Sequence, residues 1–291
     1  MKEIVILSGK GGTGKTSLAA SLAVLAGKEA VIADYDVDAA NMHILLKPDH
    51  ARGEDFSGGE LAVIDPAICT SCGLCAEKCR FDAIHTGSDS YKVNLLDCEG
   101  CGYCEKICPE KAIVMVPRKT GELFISGIRT GSSMVHATME AGAENSGKMV
   151  TAVKREAVAI AERSKVPLVI SDGSPGLGCP VIASLAGANM AVLVTEPSVS
   201  ALHDLRRLIK VIEVFRIKTL CVINKSDLNP AVAAEIGKFL DASGILHIGD
   251  IPFDEEIARA MADAVTLVET DRPGALAIRE IWEKIRTYIN N

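Results

Sequence analysis

Eight of the ten cysteines fall into two runs with a single spacing, Cys69-x2-Cys72-x2-Cys75-x3-Cys79 and Cys98-x2-Cys101-x2-Cys104-x3-Cys108. Soft thiolates packed this closely are metal ligands. Three of them on one short loop can wrap one face of an iron–sulfur cubane. Zinc is the competing metal, but a tetrahedral zinc site does not call for four-cysteine runs in duplicate. A second stretch, Gly9-Lys10-Gly11-Gly12-Thr13-Gly14-Lys15-Thr16, fits G-x-x-x-x-G-K-[ST]. Its glycines let backbone N–H groups surround phosphates with no Cβ in the way, and the following helix adds a favourable dipole. Lys15 is expected against the β- and γ-phosphates, and the Thr16 hydroxyl on Mg²⁺. Gly9, Lys10, Gly11, Gly12, Thr13, Gly14 and Ser17 complete the expected nucleotide-binding set.

Carboxylates follow two apolar runs, as Asp34-Tyr35-Asp36-Val37-Asp38 and Asp172-Gly173-Ser174-Pro175-Gly176. Acidic residues at the carboxyl ends of parallel strands sit where open α/β sheets bind ligands. Asn224-Lys225-Ser226-Asp227 ends a further strand and matches N-K-x-D superficially. Were GTP the substrate, Asp227 would accept from the guanine N1 and N2 donors; ATP is the favoured nucleotide. Of the two remaining cysteines, Cys221 lies inside an apolar strand and reads as core. Cys179, in Gly176-Leu177-Gly178-Cys179-Pro180, reads as a buried or partly buried structural thiol. His43, just after the first carboxylate cluster, is the one histidine near the expected site, and a surface or packing role suits it best.

The elements that must position these groups are an alternation of strands and helices. Expected strands are Glu3–Leu7, Ala30–Asp34, Phe124–Ser126, Leu168–Asp172, Ala191–Thr195, Thr219–Asn224 and Ile245–Gly249. Several are apolar throughout, as parallel strands buried on both faces are. Between them lie helix-length segments such as Ser200–Phe215, with Leu202, Leu205, Leu208, Ile209 and Ile212 on one stripe. This order implies a doubly wound, mostly parallel α/β sheet. The cysteine segment interrupts it, and Cys69–Ile84 and Cys98–Ile113 repeat one another. The expected organisation is a discontinuous nucleotide-binding domain, residues 1–60 and 117–291, split by an α+β insert at 61–116. The polar stretch from Glu144 to Val150 reads as a capped helix start. The helix carrying Ile278, Ile281, Trp282, Ile285 and Ile289 on one face, opposite mixed charge, reads as packing on the sheet.

The 291 residues suffice for one large domain plus a small module. A net charge of −7 argues against nucleic acid or an anionic membrane as the main partner. Aromatic residues make up only 4% of the chain, which disfavours stacking platforms for single-stranded nucleic acid. The N-terminus runs from Met1-Lys2-Glu3 into an apolar strand without a signal-peptide pattern, and no apolar window reaches membrane-spanning length. A reducing, cytoplasmic setting is therefore expected, where clustered cysteines hold metal.

Together the motifs resemble the MinD/ParA superfamily of P-loop ATPases, related to the nitrogenase iron protein, with an inserted domain that resembles a bacterial two-cluster ferredoxin. The ferredoxin likeness implies two [4Fe-4S] clusters with crossed ligation. One would take Cys69, Cys72, Cys75 and Cys108, the other Cys79, Cys98, Cys101 and Cys104; Arg80 stands where proline is usual. The ATPase likeness implies that Lys10 crosses a nucleotide-dependent homodimer interface to the partner's nucleotide. By that likeness Lys10, Lys15 and Asp36 are catalytic, with Asp34 a rival for the role of Asp36. Thr16, Asp36 and Asp172 would serve Mg²⁺, Gly176 would offer its N–H to the γ-phosphate, and Asn224 with Pro252 would meet the adenine. The function implied is ATP-gated electron transfer to a partner redox protein. The alternatives are a carrier or assembly factor for a metal cluster, and a positioning ATPase whose clusters sense or staple.

Overall fold

The computed structural model describes residues 1–140 and 145–290, so Glu144 of the stretch discussed above lies outside the described residues. The chain forms two compact units. Unit 1 comprises Met1–Glu54, Leu123–Thr138 and Ser146–Asn291, and unit 2 comprises Asp55–Glu122 and Met139–Asn145. In chain order the strands are β1 (Lys2–Ser8), β2 (Ala30–Asp34), β3 (Arg52–Ile64), β4 (Ile84–Thr86), β5 (Tyr91–Val93), β6 (Ile113–Gly127), β7 (Ser133–Met139), β8 (Leu168–Pro175), β9 (Met190–Thr195), β10 (Lys218–Asn224) and β11 (Leu246–Ile251). The helices are α1 (Lys15–Ala26), α2 (Met42–Leu46), α3 (Leu74–Glu77), α4 (Tyr103–Ile107), α5 (Ser146–Arg163), α6 (Cys179–Leu185), α7 (Val199–Glu213), α8 (Pro230–Ala242), α9 (Glu256–Ala262) and α10 (Pro273–Asn290).

The main sheet runs in the order β11-β10-β9-β1-β8-β2-β7-β6-β3. The pairs of β1 with β8 and β9, of β2 with β8 and β7, and of β10 with β9 and β11 are all parallel. Parallel pairing with helices over both faces explains why β1, β2 and β9 are buried along nearly their whole length. The register Asp34↔Asp172 sets the ends of β2 and β8 level, which places the two carboxylate clusters side by side at the carboxyl edge. Beneath that edge Ile4, Ile6 and Ile32 pack with Leu18 and Leu22 of α1 and with Ile278, Ile281, Trp282 and Ile285 of α10. The apolar face of α10 is thus spent on the core, as its pattern suggested. Among the described residues no helix is long and apolar enough to cross a membrane.

Every expected strand is present, but β6 begins eleven residues ahead of Phe124 and β3 and β7 were not foreseen. Gly53, Gly58 and Gly59 in β3 and the Ser133, His136 and Thr138 of β7 mask their alternation. Residues 61 and 116, where the sequence divides the chain, lie inside β3 and β6, the strands that carry the backbone from one unit to the other.

Unit 2 is built on a repeat with an offset of 29 residues, visible in the backbone as well as the cysteines. Short helices α3 and α4 start after Gly73 and Gly102, both at positive φ (81° and 70°). Ser71 and Gly100 (54° and 63°), and Asp82 and Lys111 (49° and 55°), are likewise paired in conformation. Cys69 N donates to Asp65 O and Cys98 N to Asn94 O, at 3.0 and 3.1 Å.

Candidate functional site

The phosphate loop spans from the end of β1 to the start of α1. Gly14 sits in the left-handed region (φ 90°), and a Cβ there would also clash with Asn224 Nδ2. Only glycine meets both demands. Lys15, the first residue of α1, is 5% exposed and its Nζ lies 2.7 Å from Asp172 Oδ1 and 3.5 Å from Asp36 Oδ2. Burial opposes its charge, but Asp172 and then Asp36 outweigh that and hold the ammonium above the ordinary lysine value. Thr16 Oγ1 donates to the other oxygen of Asp172, at 2.6 Å. Among the described residues the buried Thr13 hydroxyl has no partner, a donor left over in a loop shaped for phosphate oxygens. Gly11 and Gly12 face open space, with no atom within 4 Å of a Cβ built on either.

Around this pocket the acidic groups crowd. Desolvation, then Asp172, pushes the Asp34 carboxyl up to about 8. Asp34 accepts from the N–H groups of Asp36 (3.1 Å) and Met42 (3.4 Å), so it braces the loop after β2. Asp36 faces Lys15 directly; burial raises its carboxyl and Lys15 only partly offsets this. Of the two rivals, Asp36 is the one that reaches the lysine. Gly176 is at positive φ (91°), but its N–H donates to Ser8 O at 2.9 Å. Contact with a phosphate requires that bond to open.

Lys10 points to the end of β9. Its Nζ lies 2.7 Å from Glu196 Oε1 and within 3.3 and 3.2 Å of the Ser198 and Ser200 hydroxyls. Glu196 also takes Lys225, whose Nζ is 2.9 Å from Oε2 and 3.0 Å from Gly12 O. Burial works against the Glu196 charge, but the hydrogen bonds from Lys10 and Lys225 prevail and hold its carboxyl below the usual range. The sequence reading missed Glu196 and Lys225. Glu196 follows the last residue of a parallel strand, the same signal that picked out Asp36 and Asp172.

Beside the loop opens a cavity of about 300 Å³ lined by Gly12, Gly14, Ser17, Asn224, Pro252 and Phe253 with apolar residues beneath. Asn224 Nδ2 donates to Thr13 O (2.7 Å), tying the base end to the loop. Asp227 Oδ1 is occupied by the Phe253 N–H (2.7 Å).

In unit 2 the thiols ring two cavities. Cys69, Cys72, Cys75 and Cys108 line one; Cys79, Cys98, Cys101 and Cys104 line the other, and Cys75 lines both. Thiols from both runs thus come together at each cavity, and all eight are free. Ala83 N donates to Cys79 Sγ (3.4 Å) and Ala112 N to Cys108 Sγ (3.3 Å), the same bond in both repeats. Burial raises the Cys75 and Cys104 thiols, an effect a bound metal cluster would offset by replacing the proton. Among the described residues no three His, Cys, Asp or Glu side chains converge on a single-ion site. The donor set fits soft multi-iron clusters. Cys221 is buried, as expected, and burial pushes its thiol up to about 12. Cys179 departs from expectation. It is exposed, because it opens α6 and only the later residues of that short helix turn inward.

The description "CobQ/CobB/MinD/ParA nucleotide binding domain" matches residues 4–267. The chain belongs to that family. MinD/ParA-type proteins are P-loop ATPases, and this chain is one of them. An uncharacterized protein of Methanocaldococcus jannaschii is 33% identical over 289 residues, 99% of this chain and 97% of its own length. A ferredoxin of Hydrogenibacillus schlegelii, titled "Ferredoxin 7Fe", is 41% identical over 51 residues, 18% of this chain and 65% of its own. In fold, the chain is similar to the septum site-determining protein MinD of Pyrococcus horikoshii, solved with Mg-ADP. The TM-score is 0.59 at 19% identity, covering 99% of this chain and 96% of that one. The ATPase fold and the ferredoxin-like segment foreseen from the motifs are both present.

Proposed function

We propose that this MinD/ParA-type ATPase is an iron–sulfur protein that couples its nucleotide state to electron transfer to a partner redox protein. The observation that carries the reading is that the eight thiols line two cavities, each drawing on both runs, with matching N–H···S bonds in the two repeats. Bound there, two [4Fe-4S] clusters would supply one-electron chemistry. Cys69, Cys72, Cys75 and Cys108 would hold one and Cys79, Cys98, Cys101 and Cys104 the other. Fully ligated clusters suit electron carriage better than handing a labile cluster to an acceptor. The MinD-like positioning reading has the full-length fold similarity in its favour. Against it, the apolar face of α10 is buried in the core and so is not presented to a membrane.

ATP is the favoured nucleotide because Asp227, the carboxylate a guanine would need, already holds Phe253. Lys15 meets the β- and γ-phosphates, and the Gly11, Gly12 and Thr13 segment cradles them. Thr16, Asp36 and Asp172 would hold Mg²⁺, which would neutralise phosphate charge, and Asp36 would orient the attacking water. Lys10 leaves Glu196 to reach across an ATP-dependent homodimer. Asn224 and Pro252 bound the adenine. The insert, expected at 61–116, connects to this chemistry through the chain itself. β6 leaves unit 2 and leads into β7, and β7 pairs with β2, which ends at Asp34. A reducing cytoplasm is the setting such thiols need.

The test is EPR of the anaerobically purified, reduced protein with and without MgATP. A nucleotide-dependent change in the cluster signals, and faster oxidation by a partner with ATP present, support coupling. Identical spectra in both states refute it, and protein that stays iron-free after anaerobic reconstitution refutes the clusters themselves.

A further inference from the structure

Behind the carboxylate-bearing ends of β2 and β8, unit 1 buries a second polar cluster, whose side chains make no hydrogen bond to the phosphate loop among the described residues. Its centre is Glu3 on β1, 2% exposed. Glu3 Oε1 accepts from the Tyr35 hydroxyl (2.8 Å) and the Ser171 hydroxyl (3.2 Å). Glu3 Oε2 pairs with Lys154 Nζ of α5 at 2.9 Å. Lys154 donates in turn to Ser184 O of α6 (2.7 Å), and its ammonium lies 6.0 Å from the centroid of the Tyr35 ring.

The sequence positions of the partners matter more than their number. Tyr35 stands between Asp34 and Asp36, and it is fully buried. Its N–H donates to Asp172 O (2.8 Å) and its carbonyl accepts from the Ser174 hydroxyl. Ser171 directly precedes Asp172. The cluster therefore grips both carboxylate-bearing loops from behind, one through a phenol and one through a hydroxyl. A buried ion pair with these hydrogen bonds is weak evidence for added stability, because apolar residues of like volume commonly serve a core as well or better. What it adds that an apolar core does not is direction, since each hydrogen bond fixes an orientation as well as a distance.

We infer that Glu3, Tyr35 and Lys154 form a positioning cluster that sets Asp36 and Asp172 relative to Lys15 for ATP hydrolysis. None of the three touches the reacting atoms. They act through the backbone of the residues that do, where an error of an ångström costs heavily in rate. The inference concerns turnover alone and does not depend on electron transfer.

Tyr35→Phe isolates the effect. It keeps the ring and the packing, and leaves Glu3 with Lys154 and Ser171. We expect kcat for ATP hydrolysis to fall about tenfold, KM for MgATP to stay within twofold, and the melting temperature to move little. Lys154→Met should lower kcat further, and Lys154→Arg should recover most of it, because a guanidinium can still reach the carboxylate. If Lys154→Met fails to fold, the Tyr35→Phe and Lys154→Arg measurements decide alone. Wild-type kcat in Tyr35→Phe overturns the inference. So does a loss carried wholly by KM, or a set of variants whose rates merely track their melting temperatures.

Discussion

Glu196 holds Lys10 within its own chain, so Glu196→Gln should strengthen ATP-dependent dimerisation. The carboxylate is shared between two ammonium groups, each under 3 Å away, and the Lys10 and Glu196 side chains are 30% and 18% exposed. Fully exposed pairs contribute about 0–1 kcal/mol. Partial shelter and the two serine hydroxyls place this one near the top of that range, about 1 kcal/mol. In the proposed dimer two Lys10 side chains would have to leave, so the intrachain contacts would oppose it by about 2 kcal/mol, roughly thirtyfold in its Kd. Glutamine keeps the shape and an acceptor but removes the charge, and so recovers most of that factor. The assay is sedimentation velocity over a protein dilution series with a non-hydrolysable ATP analogue. The gain should shrink as salt rises, because the lost pair is screened. A variant that dimerises no better than wild type at low salt would refute the reasoning, since Lys10 would then owe nothing to Glu196.

Crossed ligation predicts that Cys108→Ser and Cys75→Ser abolish the same EPR component of the reduced protein, and that Cys79→Ser and Cys104→Ser abolish the other. Grouping of Cys108→Ser with Cys104→Ser would rule the crossed sets out. Gly14→Ala adds a Cβ at positive φ and against Asn224. Strain of about 2–3 kcal/mol should weaken MgATP binding by calorimetry roughly a hundredfold, and a Kd within a few-fold of wild type would contradict the close approach. His136 is buried against Ser126, and burial, then His50 and His43, holds its imidazole down at about 4. In the unfolded chain it titrates near 6.5. The unfolded state therefore binds the extra proton, and stability present above pH 6.5 is lost as pH falls through that value toward about 4, by about 3 kcal/mol in all. The urea midpoint of His136→Phe should fall less than that of wild type between pH 7 and pH 4.5, and parallel loss would clear His136 of the role.

The parts of the site legible in the sequence are those whose chemistry is local. Eight cysteines at fixed spacing, a glycine loop between a strand and a helix, and carboxylates at strand ends each carry their meaning within a few residues. The register that sets Asp34 beside Asp172 follows from parallel pairing, which the apolar runs implied. What stayed hidden joins residues far apart in sequence. Lys10 meets Glu196, Glu3 meets Lys154, and no periodicity records either pair. The strands β3 and β7 escaped for a different reason. Their glycine, serine and histidine content is low in strand propensity, and neighbouring strands supplied what the local sequence did not. Cys179 is exposed where a buried or partly buried thiol is expected, because it is the first residue of a short helix and faces outward.

The distribution of charge around the loop explains why long-range pairs were needed here. A cradle built to bind a triphosphate gathers cations, and left alone they would repel one another and destabilise the free protein. In this chain each lysine of the cradle has a carboxylate in its place of work. Lys15 rests on Asp172 and Asp36, and Lys10 and Lys225 rest on Glu196. Nucleotide phosphates would take over these cations, and the displaced carboxylates would then be free for other partners. Asp172, released from Lys15 and Thr16, stands where it can serve Mg²⁺. Glu196, released from Lys10, leaves that lysine able to cross to a second chain. On the proposed reading, binding at one loop would exchange internal ion pairs for external ones, and the same exchange would supply both the metal ligand and the dimer contact. A protein in which Asp172 and Glu196 were both neutral should bind a magnesium-free triphosphate more tightly than wild type while losing the metal's contribution, a split that calorimetry with and without Mg²⁺ would expose.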